Sequence, residues 1–331
     1  MLWIEKYRAG DLSGIAGQDQ VTRYLSSFAC SGSVPHLILA GPHGTGKSMA
    51  VECFARALYN DNWELNTTVF PTADLFMQGK SFLEQDERYQ HLYQRNQSFI
   101  TNFKHIIKWY ASIRPLDAEF KLMIFEDAHA LSREAQQALR RIMERTSATC
   151  RFVFTTTNQS AIIPAVSSRC LLLFFGPVDQ DTMLCYLQDI MGKEAAFSQP
   201  CSADDLDLIV QAAAGDMRRG VLLLQAALES GRCQDLFLIS QSETANIAAS
   251  AIISLKEGDV KNAVRRLESL IIDYGLSGAE VISAIRTVVQ REYNHPALAV
   301  ALADCEYRLR HSNNEFVQLG SFTTGIREVF S

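Results

Sequence analysis

The first half of the chain alternates between two hydrophobic periods. Four short apolar runs, His36–Ala40, Lys121–Phe125, Arg151–Thr156 and Cys170–Phe175, are nearly unbroken and mostly end on polar or turn residues. Runs of that length without in–out alternation read as buried strands of a parallel sheet. Between them lie segments with apolar residues at helical spacing, notably Lys47–Tyr59 and Ser132–Arg145. The alternation predicts an α/β sheet with helices on its faces.

From about Pro177 onward the strand pattern gives out. Thr182–Met191, Ala203–Ala213, Met217–Glu229, Ala245–Leu255, Val260–Ile272, Ala279–Arg291, Ala297–His311 and Phe316–Val329 all carry apolar residues at helical spacing. Breaks fall at Gly176-Pro177, Ser198–Ser202, Gly231–Gln234, Gly258, Gly275 and His295-Pro296. The second half is therefore expected to be helical, divided near residue 233. The predicted division is a parallel-sheet core over 1–176, a small helical domain over 177–233 and a larger all-α domain over 234–331.

Composition and charge refine this reading. With 47% hydrophobic and 21% charged residues, the chain belongs with ordinary soluble proteins. Apolar runs such as Leu37–Ala40 and Leu171–Phe175 are too short to span a bilayer, and the opening Met-Leu-Trp-Ile-Glu-Lys-Tyr-Arg lacks a leader's apolar stretch. A soluble intracellular protein with no membrane partner is expected. The net charge of −6 argues against coating nucleic acid by bulk charge, while leaving room for a local basic track. The eight cysteines, at 30, 53, 150, 170, 185, 201, 233 and 305, are scattered singly. That spacing predicts mostly buried free thiols rather than a zinc site or a disulfide framework.

The strongest chemical signal is Gly41-Pro42-His43-Gly44-Thr45-Gly46-Lys47-Ser48, which follows an apolar strand and opens a helix. Glycines let backbone wrap a phosphate closely, and the loop amides with the helix N-terminus present partial positive charge. In such a loop Lys47 reaches the β- and γ-phosphates and the Ser48 hydroxyl ligates magnesium. An incidental glycine-rich turn would not require the Lys-Ser pair. The motif alone leaves kinases, GTPases, helicases and ATP-driven machines open.

Lys121-Leu-Met-Ile-Phe125-Glu126-Asp127 is an apolar strand ending in two carboxylates, a Walker B arrangement. There the first acid, Glu126, is expected to hold magnesium and the second, Asp127, to orient the attacking water. Cys150–Asn158 is another strand with a polar end beside the phosphates. Asn158 is the member best suited to sense the γ-phosphate or the lytic water, with turn formation the alternative for an Asn at a strand end.

Ser167-Ser168-Arg169-Cys170 and, much later, Gly215-Asp216-Met217-Arg218-Arg219-Gly220 complete an ordered set. Together with Trp3-Ile-Glu-Lys-Tyr-Arg8, Gly17-Gln18, Ala138-Leu-Arg-Arg-Ile-Met-Glu144 and the stretches Leu298–Leu309 and Asn313–Leu319, it resembles the replication factor C small subunits, clamp loaders of the AAA+ ATPases. The resemblance spans almost the whole chain, and the Ser-Arg-Cys triplet is specific to clamp loaders within AAA+. It implies an AAA+ core, a helical lid over 177–233, and a collar over 234–331 through which five subunits form an open ring. ATP and Mg2+ are the implied cofactors. The implied partners are other small and large clamp-loader subunits, a sliding clamp of the proliferating cell nuclear antigen type, and primer–template DNA. The compact length leans towards an archaeal, cytoplasmic setting, or a nuclear one in a eukaryote.

The resemblance also assigns residues. Arg169 would act in trans as an arginine finger on a neighbour's ATP, and Arg218 would sense the γ-phosphate in cis. Each could instead be a surface ion pair. Tyr7, Arg8 and Gln18 would fold over the adenine, although Ala9 stands where the family usually has proline. Arg133, Arg140 and Arg141 would track DNA phosphates, which positions without reading sequence. A solvated helix face is the alternative for each.

Two departures stand out. The family's Asp-Glu-Ala-Asp is Glu126-Asp127-Ala128-His129 here, so the water-orienting acid is shorter by one C–C bond, ~1.5 Å. A misplacement of about 1 Å can cost on the order of a hundredfold in rate, which predicts ATP binding with weak turnover at this subunit's own site. Such a chain is also readable as a mainly structural ring member that donates its arginine. An unrelated P-loop kinase would not account for the Ser-Arg-Cys triplet or the long helical end. Second, about twenty extra residues rich in Gln, Tyr, Glu and Arg lie between Asn66 and Gln97, before a helical pattern at Phe99, Phe103, Ile106, Ile107 and Tyr110. They are expected either to enlarge a clamp- or DNA-facing surface or to form a solvated helical excursion.

Overall fold

A computed structural model describes residues 2–115, 117–194, 201–230, 243–292, 296–312 and 314–330. The predicted break at Gly231–Gln234, with Cys233, and parts of those at 198–202 and 295–296 lie outside the described residues. The chain forms two compact units, Met1–Gly231 and Arg232–Ser331.

The first unit is built on five strands: β1 His36–Ala40, β2 Thr67–Pro71, β3 Lys121–Glu126, β4 Cys150–Thr156 and β5 Cys170–Phe174. They lie in the order β2-β3-β4-β1-β5 and every pairing is parallel. α1 Trp3–Lys6 and α2 Asp19–Ser31 precede β1, and between the strands lie α3 Lys47–Tyr59, α4 Thr72–Gln78, α5 Lys80–Gln85, α6 Glu87–Gln90, α7 Phe99–Ser112, α8 Arg133–Thr146 and α9 Pro164–Ser167. After the sheet come α10 Gln180–Lys193, α11 Ala203–Ala213 and α12 Met217–Ser230.

Successive strand side chains point to opposite faces, and both faces are covered. Ile38, Met123, Phe125, Phe152 and Phe154 pack with α7 and α8 residues such as Phe103, Ile107 and Leu139. Leu37, Leu39, Leu122, Ile124 and Val153 pack with Leu25 of α2 and Val51 and Phe54 of α3. Two buried faces are why the strands read as continuous apolar runs.

The fourth predicted strand departs from that expectation. In β5, Leu171, Leu172 and Phe174 are 40%, 39% and 60% exposed. Among the described residues β5 ends the sheet and pairs only with β1, so it lacks the second neighbour that flanks β1, β3 and β4, and an apolar run looks the same at the edge as in the centre. At the opposite edge, β2 was absent from the predicted strands; its Thr67-Thr-Val-Phe-Pro71 is only partly buried.

The stretch between Asn66 and Gln97 is not a solvated excursion. It forms β2 and α4–α6, and buries Leu83, Tyr89 and Leu92 in the core on the α7–α8 face. Tyr89 stacks on Phe70 with ring centroids 5.8 Å apart. Asn102 of α7, fully buried, clamps the returning loop: its amide donates to the Gln94 carbonyl (2.9 Å) and its oxygen accepts from the Gln94 N–H (2.8 Å).

The second unit is helical: α13 Glu243–Lys256, α14 Val260–Ile272, α15 Gly278–Glu292, α16 Pro296–His311 and α17 Glu315–Phe330. Its core joins Ala251, Leu267, Ile285, Leu298, Leu319 and Phe322. Each predicted helix after Pro177 is found within two residues of its expected ends. No helix among the described residues is long and apolar enough to cross a membrane. Among the described cysteines, Cys53, Cys150, Cys201 and Cys305 are buried, whereas Cys30 and Cys185 are exposed.

A candidate nucleotide-binding site

β1 delivers the chain into the loop 41–46, and α3 starts at Lys47. Two glycines are required there. A Cβ on Gly41 would lie 2.1 Å from the Phe175 carbonyl oxygen, and one on Gly44, at φ +66°, 1.7 Å from an Asp216 carboxylate oxygen. Thr45 is buried and donates its hydroxyl to the Pro42 carbonyl at 3.0 Å, bracing the loop. The first amides of α3 have no intrahelical acceptor and carry the helix's positive end. The Lys47 ammonium donates to the Gly41 carbonyl at 2.8 Å and to that of Pro42. Burial lowers its pKa first and the Arg218 charge adds to this, while Asp127 and Asp216 oppose it. An anion such as a phosphate would relieve that desolvation.

A cavity of about 590 Å³ opens over this loop, lined by His43–Ser48 and by both Glu126 and Asp127. That volume lies within the roughly 300–1,000 Å³ range of small-molecule sites. Asp127 sits in the left-handed region, φ 51° and ψ 46°, which aspartate tolerates better than most side chains. The Glu126 carbonyl accepts the buried Thr72 hydroxyl, fixing the end of β3. Thr155 and Thr157 of the β4 end also line the cavity.

Asn158 is not among the lining residues. Its side-chain oxygen accepts from the Ser160 N–H (3.1 Å) and hydroxyl (2.7 Å), so the turn-forming alternative is present in this structure.

Helices beyond the sheet close the cavity's far side through Tyr186, Met217, Arg218 and Val221. They are fastened to the loop: the Met217 N–H donates to the Gly44 carbonyl (3.1 Å), and Asp216 caps α12 by accepting from the Arg219 N–H (2.9 Å). The N-terminal segment supplies the third wall, with Trp3, Ile4, Tyr7 and Arg8. Trp3 is 4% exposed and its N–H donates to Gln225 of α12 at 2.9 Å. Tyr7 donates its hydroxyl to Glu194 (2.7 Å), and its carbonyl accepts the Tyr186 hydroxyl (2.8 Å). Lys6 pairs with the same Glu194, whose carboxyl is thereby held below the usual range, first by Lys6 and then by Tyr7. Arg8 pairs with Glu52 of α3. Gln18 lies outside the cavity lining; it is buried and donates to the Gly176 carbonyl at 2.8 Å, pinning the segment to the end of β5.

The remaining candidates lie elsewhere. Arg169, after α9, is not a lining residue of this cavity; it pairs with Glu144 of α8. On α8, Arg133 and Arg141 are exposed, whereas Arg140 is half-buried at the margin of the packed face and lies near Glu144. Sequence reasoning passed over Trp3, Thr157, Tyr186 and Asp216. Thr157 sits in the Thr-Thr-Thr-Asn end of β4 and Asp216 in the Gly-Asp-Met-Arg run, so both were within reach; Tyr186 carries no motif.

The donor set fits a nucleotide with a divalent cation. Ser48, Glu126 and Asp127 offer hard oxygen ligands, which suit magnesium. No group of three or more His, Cys, Asp or Glu side chains that could hold a metal occurs among the described residues. A cation here would complete its shell with phosphate oxygens and water, the usual habit of magnesium.

Two family profiles match the chain: DNA polymerase III, delta subunit, over residues 17–179, and Replication factor C C-terminal domain, over 243–324. Over 100% of its length the chain is 32% identical to the replication factor C small subunit of Picrophilus torridus, 98% of which is covered. It is 29% identical to that of Archaeoglobus fulgidus, over 97% of this chain and 95% of the relative. Among solved structures, a Thermotoga maritima RuvB variant is similar with a TM-score of 0.52 at 15% identity, covering 86% of this chain and 91% of that one. The Orc1 protein of Aeropyrum pernix has a TM-score of 0.50 at 18% identity, covering 82% and 84%. At such identities the likeness is one of fold.

Sheet, phosphate loop and helical wall define an AAA+ nucleotide-binding protein. The chain belongs to the replication factor C small-subunit family, the clamp-loader subunits of DNA replication.

Proposed function

We propose that the chain binds ATP with magnesium in the cavity over Gly41–Ser48 and works as a ring subunit of a sliding-clamp loader. In this role it joins other small and large subunits, a clamp of the proliferating cell nuclear antigen type and primer–template DNA, at the site of chromosome replication in the cytoplasm or nucleus. The observation that supports the reading is the convergence of Lys47, Ser48, Glu126, Asp127 and Arg218 on one cavity while Arg169 lies outside it. Lys47 and the loop amides hold the phosphates; Ser48 and Glu126 hold the cation, which supplies charge neutralisation when bound. Asp127 orients water and Arg218 reports phosphate occupancy to the lid, taken as 177–233 and followed by a collar. Tyr7 and Arg8 close the base end, and Arg133, Arg140 and Arg141 follow DNA phosphates. Asn158 still has its amide N–H groups to offer the lytic water.

The shortened Asp127 favours a subunit that binds ATP firmly, turns it over slowly and donates Arg169 to the neighbouring site. Subunit-resolved ATPase in the reconstituted complex, with clamp and primed DNA, tests this. Arg169→Ala is expected to lower turnover far more than Lys47→Ala, although Lys47→Ala abolishes binding of a fluorescent ATP analogue to this chain. Equal losses from Lys47→Ala and Asp127→Ala, both large, would show an independent motor and sink the reading.

A further inference from the structure

Arg169 is docked on its own chain. Its Nη2 and Nε both donate to Glu144 Oε1, at 2.5 and 3.0 Å, and Nη1 donates to the Ala165 carbonyl at 2.7 Å. A weaker contact of 3.3 Å runs from Nη1 to the Ser168 hydroxyl. All three nitrogens are engaged, which fixes both the position and the plane of the guanidinium, yet 35% of the side chain stays exposed. The Glu144 oxygen also lies 3.6 Å from Arg140 Nε. Two guanidinium groups thus share one carboxylate oxygen, and formal charge leaves the cluster net positive toward an approaching anion.

The carboxylate stands on a rigid element. Ser132 caps α8 by accepting from the Ala135 N–H at 3.2 Å. The buried Gln136 side chain donates to the Leu131 and Ala161 carbonyls, 3.0 Å each, and accepts from the Ile163 N–H at 2.8 Å. α8 is therefore tied to the segment leading into α9 and Arg169, so finger and anchor share one support.

We propose that Glu144 is the positioning residue of the Arg169 finger. The inference rests on reading Arg169 as acting on a neighbour's nucleotide. An unanchored arginine has rotamer freedom that is lost on reaching a phosphate; docking on Glu144 removes part of that freedom before the neighbour arrives. As a contribution to folding, an exposed ion pair is worth little. Its value lies in aim, because reacting groups misplaced by about 1 Å lose on the order of a hundredfold in rate.

The test uses the reconstituted complex with clamp and primed DNA. Glu144→Ala and Glu144→Gln are expected to lower kcat about tenfold, within the range set by such misplacement, with this chain's ATP affinity, ring assembly and thermal unfolding unchanged. Glu144→Asp restores part of the loss. In an Arg169→Ala background, Glu144→Ala has no further effect, as expected for two residues acting through one interaction. Wild-type kcat in Glu144→Ala, with turnover lost in Arg169→Ala, overturns the positioning role and leaves the finger intact. Multiplying losses in the double variant overturn it too, because Glu144 then acts by another route. Unchanged turnover in Arg169→Ala removes the finger reading itself, and the inference with it.

Discussion

The Met217 amide donates to the Gly44 carbonyl across 3.1 Å, so the turn that opens α12 rests directly on the phosphate loop. Asp216 adds a carboxylate against the Gly44 α-carbon while capping the same helix. Loop and helix are thus joined one residue away from Arg218. If Arg218 senses phosphate in cis as proposed, this contact is a route by which the loop reaches it.

Gly44→Ala should break that route. A side chain at φ +66° is strained by about 1–2 kcal/mol, and its Cβ would drive Asp216 out of place. ATP affinity is expected to fall at least tenfold, which corresponds to about 1.4 kcal/mol. Titration with a fluorescent ATP analogue measures this; wild-type affinity in the alanine variant would show that Asp216 can move without consequence.

The N-terminal wall gives a second prediction. Trp3 is almost fully buried, and its backbone is bonded to Gln225. Trp3→Ala removes a large buried ring, a change that costs about 3–5 kcal/mol in well-packed cores. The segment Trp3–Arg8 is expected to detach from α10 and α12, with faster amide exchange there and weaker nucleotide binding. Unaltered exchange over residues 3–8 would contradict this packing.

His36 sets a pH dependence. It begins β1, and its Nδ1 accepts the Phe152 N–H at 3.0 Å, which requires the neutral ring. Burial, helped by the Arg151 charge, pulls its pKa down from 6.5 to about 4. The unfolded chain therefore binds a proton that the folded chain refuses between those values. This contribution to stability is fully present above pH 6.5 and is lost as pH falls towards about 4, with a slope of up to ~1.4 kcal/mol per pH unit. Urea unfolding across that range checks it, and a His36→Asn variant should flatten the slope.

Much of this architecture was legible in the sequence because local pattern and global fold agree. Lys121–Phe125 is apolar because both faces of β3 are covered, and helices such as Val260–Ile272 carry their burial at helical spacing. The phosphate loop was legible for a stronger reason, since the backbone contact at Gly41 and the positive φ at Gly44 favour glycine. What escaped was set by tertiary neighbours. The exposure of Leu171, Leu172 and Phe174 follows from the place of β5 in the strand order, which their composition does not encode. Tyr186 enters the cavity only because α10 crosses it. The docking of Arg169 on Glu144 joins residues 25 positions apart that no motif links.

The stretch between Asn66 and Gln97 carries the last prediction. Its apolar residues behave as core, so Leu83→Ala, at 1% exposure, should destabilise the first unit by about 2–5 kcal/mol. Tyr89 should behave in the opposite way. Its ring is 1% exposed and packed between Phe70 and Tyr110, but its hydroxyl is buried with no hydrogen-bond partner among the described residues. A buried, unsatisfied hydroxyl costs about 1–3 kcal/mol, and phenylalanine keeps the ring while removing that cost. Tyr89→Phe is therefore expected to raise the unfolding temperature, whereas Tyr89→Ala lowers it by the loss of the ring. Thermal unfolding of the two variants beside Leu83→Ala decides the matter. If Tyr89→Phe were instead destabilising by 1 kcal/mol or more, about the worth of one made hydrogen bond, the hydroxyl would have to be bonded in solution, and a polar partner would be sought beside Phe82 and Arg88.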